Sequence, residues 1–411
     1  MHAVNRNSAA ALLAAPWPNI DHLLPPTVWA RLAMLAEQPE ADDFMDKSLD
    51  VLRQTGYCGM AIPTDFGGSG ASALECCALQ ARLAQVDTGL AIGLNMHLFS
   101  AGVILEEYRV KKDLSWALLE AVATQKRLIA SAFAEPGLGG SLLRSTCRAD
   151  RITGGYVVNG IKTPCSIVCR SDLICLQMLA SESEDDKNLL VALIPSHSKG
   201  LSVTRTWSGM GMKHSESDTL KLEDVFIPDD LVFYRTRAGE DNDPVFVWGL
   251  CWFAVTTVAI YIGLAAKALD LAATHLSQTN YAGGQRTRAS YPEFQTSLGI
   301  AIDRYLLLTN ACKSVARSMD ERRDPPEAVL ASAMSLRASA VDIASMLGDL
   351  CELCGGMSYS SRSPLASLWK DAQAILYHPP TRLVCHQMLG RQLLGQPKFY
   401  ELIGLGGNDV R

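Results

Sequence analysis

The segment AILYHPPTRLV at 374–384 places a histidine in front of two prolines, inside a stretch whose flanks read as helix. Proline lacks an amide donor and clashes with the preceding turn, at a cost of about 3 kcal/mol in a helix interior. His378 therefore stands at a forced break, and an imidazole that titrates near neutrality can give or take a proton there. No Asp or Glu occurs between Asp371 and Glu401, so only His378 or, second, His386 offers proton chemistry near the break. Cys351 and Cys354 form a CxxC pair, but zinc needs a second ligand pair, so core or cap cysteines and no metal site are expected. His97, in NMHLF at 95–99, lies in an apolar helix, where a lone histidine is more often structural than reactive. FAEPGLGG at 133–140 offers backbone amides with little side-chain bulk, suited to hydrogen-bonding a flat polar ring; Pro136-Gly137 could equally make a plain β-turn. Gly355-Gly356 lets a diphosphate approach the backbone closely, and the same pair would serve as a helix C-cap.

These residues have to be positioned by a chain of 411 residues, too long for one ordinary core and suggesting two or three domains. A net charge of −6 without Lys/Arg runs argues against nucleic acid. Twelve cysteines without a regular framework point to reduced thiols in the cytoplasm. Ala9 to Ala15 is too short for a signal-peptide core. The uncharged run Val245 to Ala266 is long enough to span a bilayer, but its interleaved Gly249, Thr256, Thr257, Tyr261 and Gly263 fit the central helix of a bundle instead, so no membrane is expected.

Apolar residues recur at helical spacing through residues 27–125, with SALECCALQARLAQVD (72–87) as an example. From about 127 to 235 the period shortens to strands, at 155–162, 173–180, 188–195, 201–207 and 219–228. Helical spacing returns in four long stretches near 245–279, 291–320, 325–354 and 364–393, the count for a four-helix bundle. The reading is an α+β chain: an all-α domain at 1–126, a small β domain at 127–235 and a C-terminal four-helix bundle at 236–411.

Four motifs in this order resemble the acyl-CoA dehydrogenase flavoproteins: YCGMAIPTDFGGSG (57–70), SAFAEPGLGGS (131–141), GMGMKHSESDTLKLEDVFIP (209–228) and GGMSYSSRSPLASLWKDAQ (355–373). The resemblance implies an N-terminal helical domain, a middle β-barrel domain and a C-terminal four-helix bundle around FAD. It implies that Phe133, Ala134 and Gly139 border the flavin ring, that Ser166 bonds its edge, and that Thr381 is kept for the cofactor. Gly355 and Gly356, with Arg286 or Arg288, would serve the diphosphate from a neighbouring subunit of a homodimer or homotetramer. Gly140 stands where the family carries a serine that touches a thioester's pantetheine, and Pro164 replaces the tryptophan that covers the flavin.

The family's base is also replaced. Counting from Asp371, the usual glutamate matches Pro379, and the alternative glutamate on the first bundle helix matches Phe253, here a substrate-pocket residue. A histidine followed by proline resembles the family's flavin-dependent monooxygenase branch, which uses histidines at the heights of His97 and His378. The expectation is an FAD-dependent monooxygenase or oxidase acting with O2 on a small organic molecule, free or carried as a CoA or carrier-protein thioester, with electrons from a flavin reductase or carrier. The alternatives are an acyl-CoA or acyl-carrier-protein dehydrogenase with His378 as base, and a non-catalytic flavin-binding subunit.

Overall fold

The computed structural model describes residues 12–13, 17–41, 43–138, 144–181 and 187–396. The leading helices with both ends among the described residues are α1 (Pro26–Leu35), α2 (Phe44–Gln54), α3 (Ala73–Val86), α4 (Thr88–Lys111) and α5 (Ser115–Thr124). Ser72 and Glu75 form a reciprocal capping box at the start of α3, each side chain accepting from the other's backbone N–H at 3.1 and 2.9 Å. Asp87 then ends α3 and caps α4, accepting from the Leu90 amide at 2.7 Å.

Eight strands follow as one mixed sheet: β1 (Ile129–Ala132), β2 (Arg148–Ile152), β3 (Gly155–Cys165), β4 (Leu173–Ser181), β5 (Lys187–Pro195), β6 (Leu201–Thr204), β7 (Asp218–Pro228) and β8 (Val232–Arg237). The order is β6-β7-β3-β2-β4-β5-β8, with β1 and β2 both lying parallel to β4. On β7, Leu220, Leu222, Val225 and Ile227 point inward; the phase shifts once, at the bulge opposite Val158 and Gly160. These side chains join Tyr156, Val158, Ile174 and Leu176 in a core that belongs to the sheet alone.

The remaining helices are α6 (Pro244–Gln278), α7 (Pro292–Glu321), α8 (Pro326–Ala340), α9 (Asp342–Cys354), α10 (Pro364–Ala372) and α11 (Arg382–Leu393). Pro244, Pro292, Pro326 and Pro364 each occupy the first helical position, where the missing amide costs nothing. The third and fourth expected stretches are thus each broken once, at Val341 and across 373–381. A second, larger core is shared by α2 to α4 and the C-terminal helices, so the first and last thirds of the chain pack as one body. Its axis is α6. Gly263 is required there because a Cβ would stand 2.0 Å from the Ala81 carbonyl oxygen of α3. Three helical segments are long and apolar enough to cross a membrane, α4, α6 and the Pro326–Cys354 pair, yet 94, 89 and 67% of their most apolar windows are buried within the fold.

Candidate active site

A cavity of about 580 Å³ opens where the sheet meets α4, α6 and α10, within the size range of small-molecule sites. Helices, the end of β3 and two loops build its walls. Ile92, Met96 and Phe99 come from α4, and Phe253 and Thr257 from α6. Phe99 holds Phe133 and Phe253 edge-on, each at 5.3 Å between ring centres, so Phe253 makes an aromatic wall where the family's alternative carboxylate would stand. Opposite lie Thr163, Ser166, Ser215 and Ser217. Ser217 Oγ bridges Ser166 Oγ at 2.9 Å and Ser215 Oγ at 2.8 Å, a hydroxyl chain that ends in the cavity wall.

The loop 205–217 forms another side, held by two carboxylates, the buried Asp218 and the half-buried Asp371. Asp218 Oδ1 accepts from the amides of Thr206 and Trp207 at 2.8 and 3.0 Å. Asp371 Oδ1 accepts from the Met212 amide at 2.6 Å, and Gly211 is needed because a Cβ would stand 2.7 Å from the Asp371 backbone nitrogen. Burial pushes the Asp371 carboxyl up to about 6 despite that hydrogen bond. Trp207 donates Nε1–H to the Met212 carbonyl at 2.9 Å, which sets its indole in the cavity wall with Pro164 and supplies aromatic surface there.

Glu135 is the single carboxylate lining the cavity among the described residues, and it is engaged. It is 6% exposed, paired with the fully buried Lys162 ammonium, and accepts from Ser145 Oγ and the Thr146 amide, each at 2.5 Å, and from Thr146 Oγ1. Burial works to raise its pKa, but the ammonium and the hydroxyls outweigh it and hold the carboxyl below its usual value.

His378 lines the cavity together with Ala374, Tyr377 and Pro379. Its Nδ1 lies 3.1 Å from the hydroxyl of Tyr261 on α6. Behind it, the buried Arg337 donates Nη2–H to the carbonyls of Ile375 and His378, at 2.7 and 2.6 Å, and so pins the turn that the prolines create. Burial and then the Arg337 charge depress the His378 pKa to about 3, so the ring is neutral, not poised near neutrality as the sequence implied.

Placement divides the other sequence candidates. Phe133, Ala134, Ser166 and Phe253 line the cavity with His378. His97 does not. Its Nε2 donates to the Cys58 carbonyl at 2.9 Å while Nδ1 accepts from the Ile129 amide at 3.1 Å. Both nitrogens are committed to backbone, so His97 ties α4 to β1 and has no proton to exchange with a substrate; the pocket-facing role expected of it is corrected. Thr381 caps α11 through the Val384 amide at 3.5 Å and lies outside the lining. Arg286 is exposed, whereas Arg288 reaches the end of α9 and donates to the Cys354 carbonyl at 2.8 Å. Gly355 has φ +91°, and a Cβ there would press on Arg288 Nη1 at 3.3 Å. Arg288, Gly355 and Gly356 thus form a cluster apart from the cavity. Gly139 and Gly140 lie outside the described residues. Cys351 and Cys354 pack at the end of α9, both thiols pushed up by burial.

Sequence reasoning passed over Tyr261, Arg337, Lys162 and Trp207 as site residues. A polar residue inside the uncharged run of α6 and a lone arginine within apolar α8 were the available signals for the first two.

The fold and this cavity define an acyl-CoA dehydrogenase-type protein. Models of the family's N-terminal domain and C-terminal domain match residues 28–108 and 244–376, and the chain belongs to the acyl-CoA dehydrogenase family. Among its relatives is isobutylamine N-hydroxylase of Streptomyces viridifaciens, 27% identical over 85% of this chain and 89% of that protein. Another is the amino sugar nitrososynthase DnmZ of Streptomyces peucetius, 28% identical over 79% of this chain and 80% of that protein. Of solved structures, the FMN-bound TdsC of Paenibacillus sp. A11-2, a dibenzothiophene monooxygenase, superposes with a TM-score of 0.78, 19% identity, and 90 and 96% of the two chains covered.

Proposed function

We propose that this chain is a flavin-dependent monooxygenase of a small, mostly apolar, nitrogen-bearing molecule. The observation that carries the reading is that the cavity offers no free carboxylate among the described residues. The two family positions for a base are Pro379 and Phe253, and Glu135 is neutralised by Lys162. Removal of a substrate α-proton requires an acceptor within hydrogen-bond reach. The relatives named for an N-hydroxylation and a nitroso synthesis support the same direction.

The residues fit a flavin. Its flat ring needs hydrogen bonds along one edge, which the Ser166, Ser217 and Thr163 hydroxyls supply, and apolar contact on its face, which Phe133 and Trp207 supply. When bound and reduced, a flavin provides the two electrons by which one atom of O2 enters the substrate and the other leaves as water. The chain's own part is to exclude bulk water with the Phe99, Phe133 and Phe253 wall, to orient the substrate, and to hold His378 against the reacting oxygen. With no described carboxylate free to pair an ammonium, an amine is taken up uncharged. A separate flavin reductase or carrier delivers the electrons. All twelve cysteines are free thiols, which supports a cytoplasmic setting.

The test is single turnover with chemically reduced flavin, isotopically labelled O2 and a panel of small alkyl and aryl amines. One labelled oxygen atom in the product is expected. Unlabelled product with hydrogen peroxide would mark an oxidase, and flavin bleaching by an acyl-CoA without oxygen would mark a dehydrogenase; either result overturns the reading.

The Arg288, Gly355 and Gly356 cluster is proposed to take the diphosphate of an FAD held by a neighbouring copy in a homo-oligomer. Arg288→Ala is then expected to weaken FAD binding about tenfold, the loss of one charge-assisted contact, and to leave FMN binding unchanged. Flavin titrations by fluorescence quenching read both constants.

A further inference from the structure

The hydrogen bond between Tyr261 and His378 fixes more than the ring's position. Tyr261 is wholly buried in α6, and among the described residues its hydroxyl has one partner, His378 Nδ1 at 3.1 Å. One proton lies between the two atoms, and its direction follows from what each arrangement leaves behind. If the imidazole donated from Nδ1, the phenol proton would have no acceptor in an apolar core, an arrangement that buried hydroxyls avoid. If the phenol donates, both the phenol proton and the Nδ1 lone pair are satisfied. The relative acidities agree, because a neutral phenol is the better donor and a neutral imidazole nitrogen the better acceptor.

We infer that Tyr261 is a positioning residue that donates to His378 Nδ1 and thereby locks the ring as the Nε2–H tautomer, leaving a hydrogen-bond donor and no acceptor on the side of the ring that lines the cavity. Burial keeps the phenol protonated, with its pKa raised well above the usual value. Of the charged neighbours, the Arg337 guanidinium acts in the same sense, and the others are engaged elsewhere. Arg337 on α8 holds the His378 carbonyl at 2.6 Å and opposes a second positive charge on the ring. Arg382 on α11 donates to the Ala338 carbonyl at 3.0 Å and pairs with Asp342, and Asp371 on α10 is engaged with Met212.

The chemical consequence rests on the function proposed above, although the tautomer itself does not. A ring locked in this way cannot take a proton from a substrate carbon, since Nδ1 is occupied and Nε2 is already protonated. It can only donate a hydrogen bond to an oxygen atom in the cavity. The geometry thus separates the oxygenase reading from that of a dehydrogenase with histidine as base.

The experiment is two-dimensional long-range proton–nitrogen NMR of the full-length flavin-loaded protein with labelled histidine, at neutral pH. His378→Asn identifies the resonance by its disappearance. In the wild type, Nε2 is expected to carry a pyrrole-type nitrogen shift and Nδ1 a pyridine-type shift. In Tyr261→Phe, which keeps the ring shape and loses the donor, the two nitrogens are expected to move towards averaged tautomer shifts. The turnover number would fall at least about tenfold at unchanged KM, as when a catalytic histidine loses its tautomer partner. A wild-type signal from Nδ1–H, a doubly protonated ring, or shifts unmoved in Tyr261→Phe would overturn the inference. The wild-type spectrum decides the tautomer even if the variant folds poorly. A confirmed tautomer alongside failure of the labelled-oxygen experiment would leave this inference standing and remove the function on which its consequence rests.

Discussion

Replacing His378 by alanine is expected to lower substrate oxygenation by about 10²–10³-fold, the range for loss of one preorganised hydrogen-bond donor to a reacting oxygen, while the flavin still binds. Phe133, Ser166, Ser217 and Trp207, proposed to hold the ring, lie on elements other than the 374–381 turn. Oxygen consumption is expected to continue and to appear as hydrogen peroxide, so the ratio of product to oxygen consumed is the sensitive reading. The substitution also has a structural cost: the Tyr261 hydroxyl loses its partner in the core, worth about 1–3 kcal/mol for an orphaned buried donor. Thermal unfolding should therefore show a lower Tm for His378→Ala, partly restored in Tyr261→Phe with His378→Ala. Oxygenation should not be restored by that second change. Unchanged coupling of oxygen to product in His378→Ala would show that the ring does not face the reaction.

The site's location was more legible in the sequence than its electrostatics. A proline pair inside a helical pattern has only a few physical outcomes, so the break at 374–381 could be read directly from residue types. The same holds for β3 and β7, whose alternation reflects one buried face, and for β4 and β5, which read as short continuous apolar runs because most of their residues are buried. β2 escaped because only Ala149 of its five residues is buried, which leaves no period to detect, and β1 is four residues buried throughout. His378 was found as a residue but not as a chemical state. Its low pKa comes first from burial between helices distant in sequence and then from Arg337, forty-one positions earlier on α8, and its tautomer from Tyr261, 117 positions earlier on α6. Neither separation leaves a mark in a local pattern. His97 shows the reverse: its height on α4 fits a pocket histidine, and only the Cys58 carbonyl and Ile129 amide reveal that both nitrogens are taken.

Lys162→Met is expected to destabilise the protein by about 3–5 kcal/mol at neutral pH, the usual cost of leaving one member of a buried ion pair without its partner. Lys162 has no exposed surface, so the Glu135 carboxylate cannot exchange the lost ammonium for bulk water at that side and keeps only Ser145 and Thr146. The dependence on pH has a definite sign. The folded-state pKa of Glu135 is depressed below its unfolded value of about 4.3, so the pair's contribution is complete above that value and is lost as pH falls through the folded pKa. The difference in Tm between wild type and Lys162→Met should therefore be largest at pH 7 and shrink towards pH 4, where the isolated carboxyl protonates. Glu135→Gln with Lys162→Met should recover much of the loss, because an amide of the same shape can still accept from Ser145 and Thr146 without a charge to solvate. A double-mutant cycle of thermal unfolding measures the coupling. The same pair bears on function, since Glu135 lines the cavity and Lys162 is what keeps its carboxylate from serving as a proton acceptor there. A Lys162→Met protein with undiminished stability at neutral pH would show that the cavity wall does not depend on the pair and that Glu135 is free to act on a substrate.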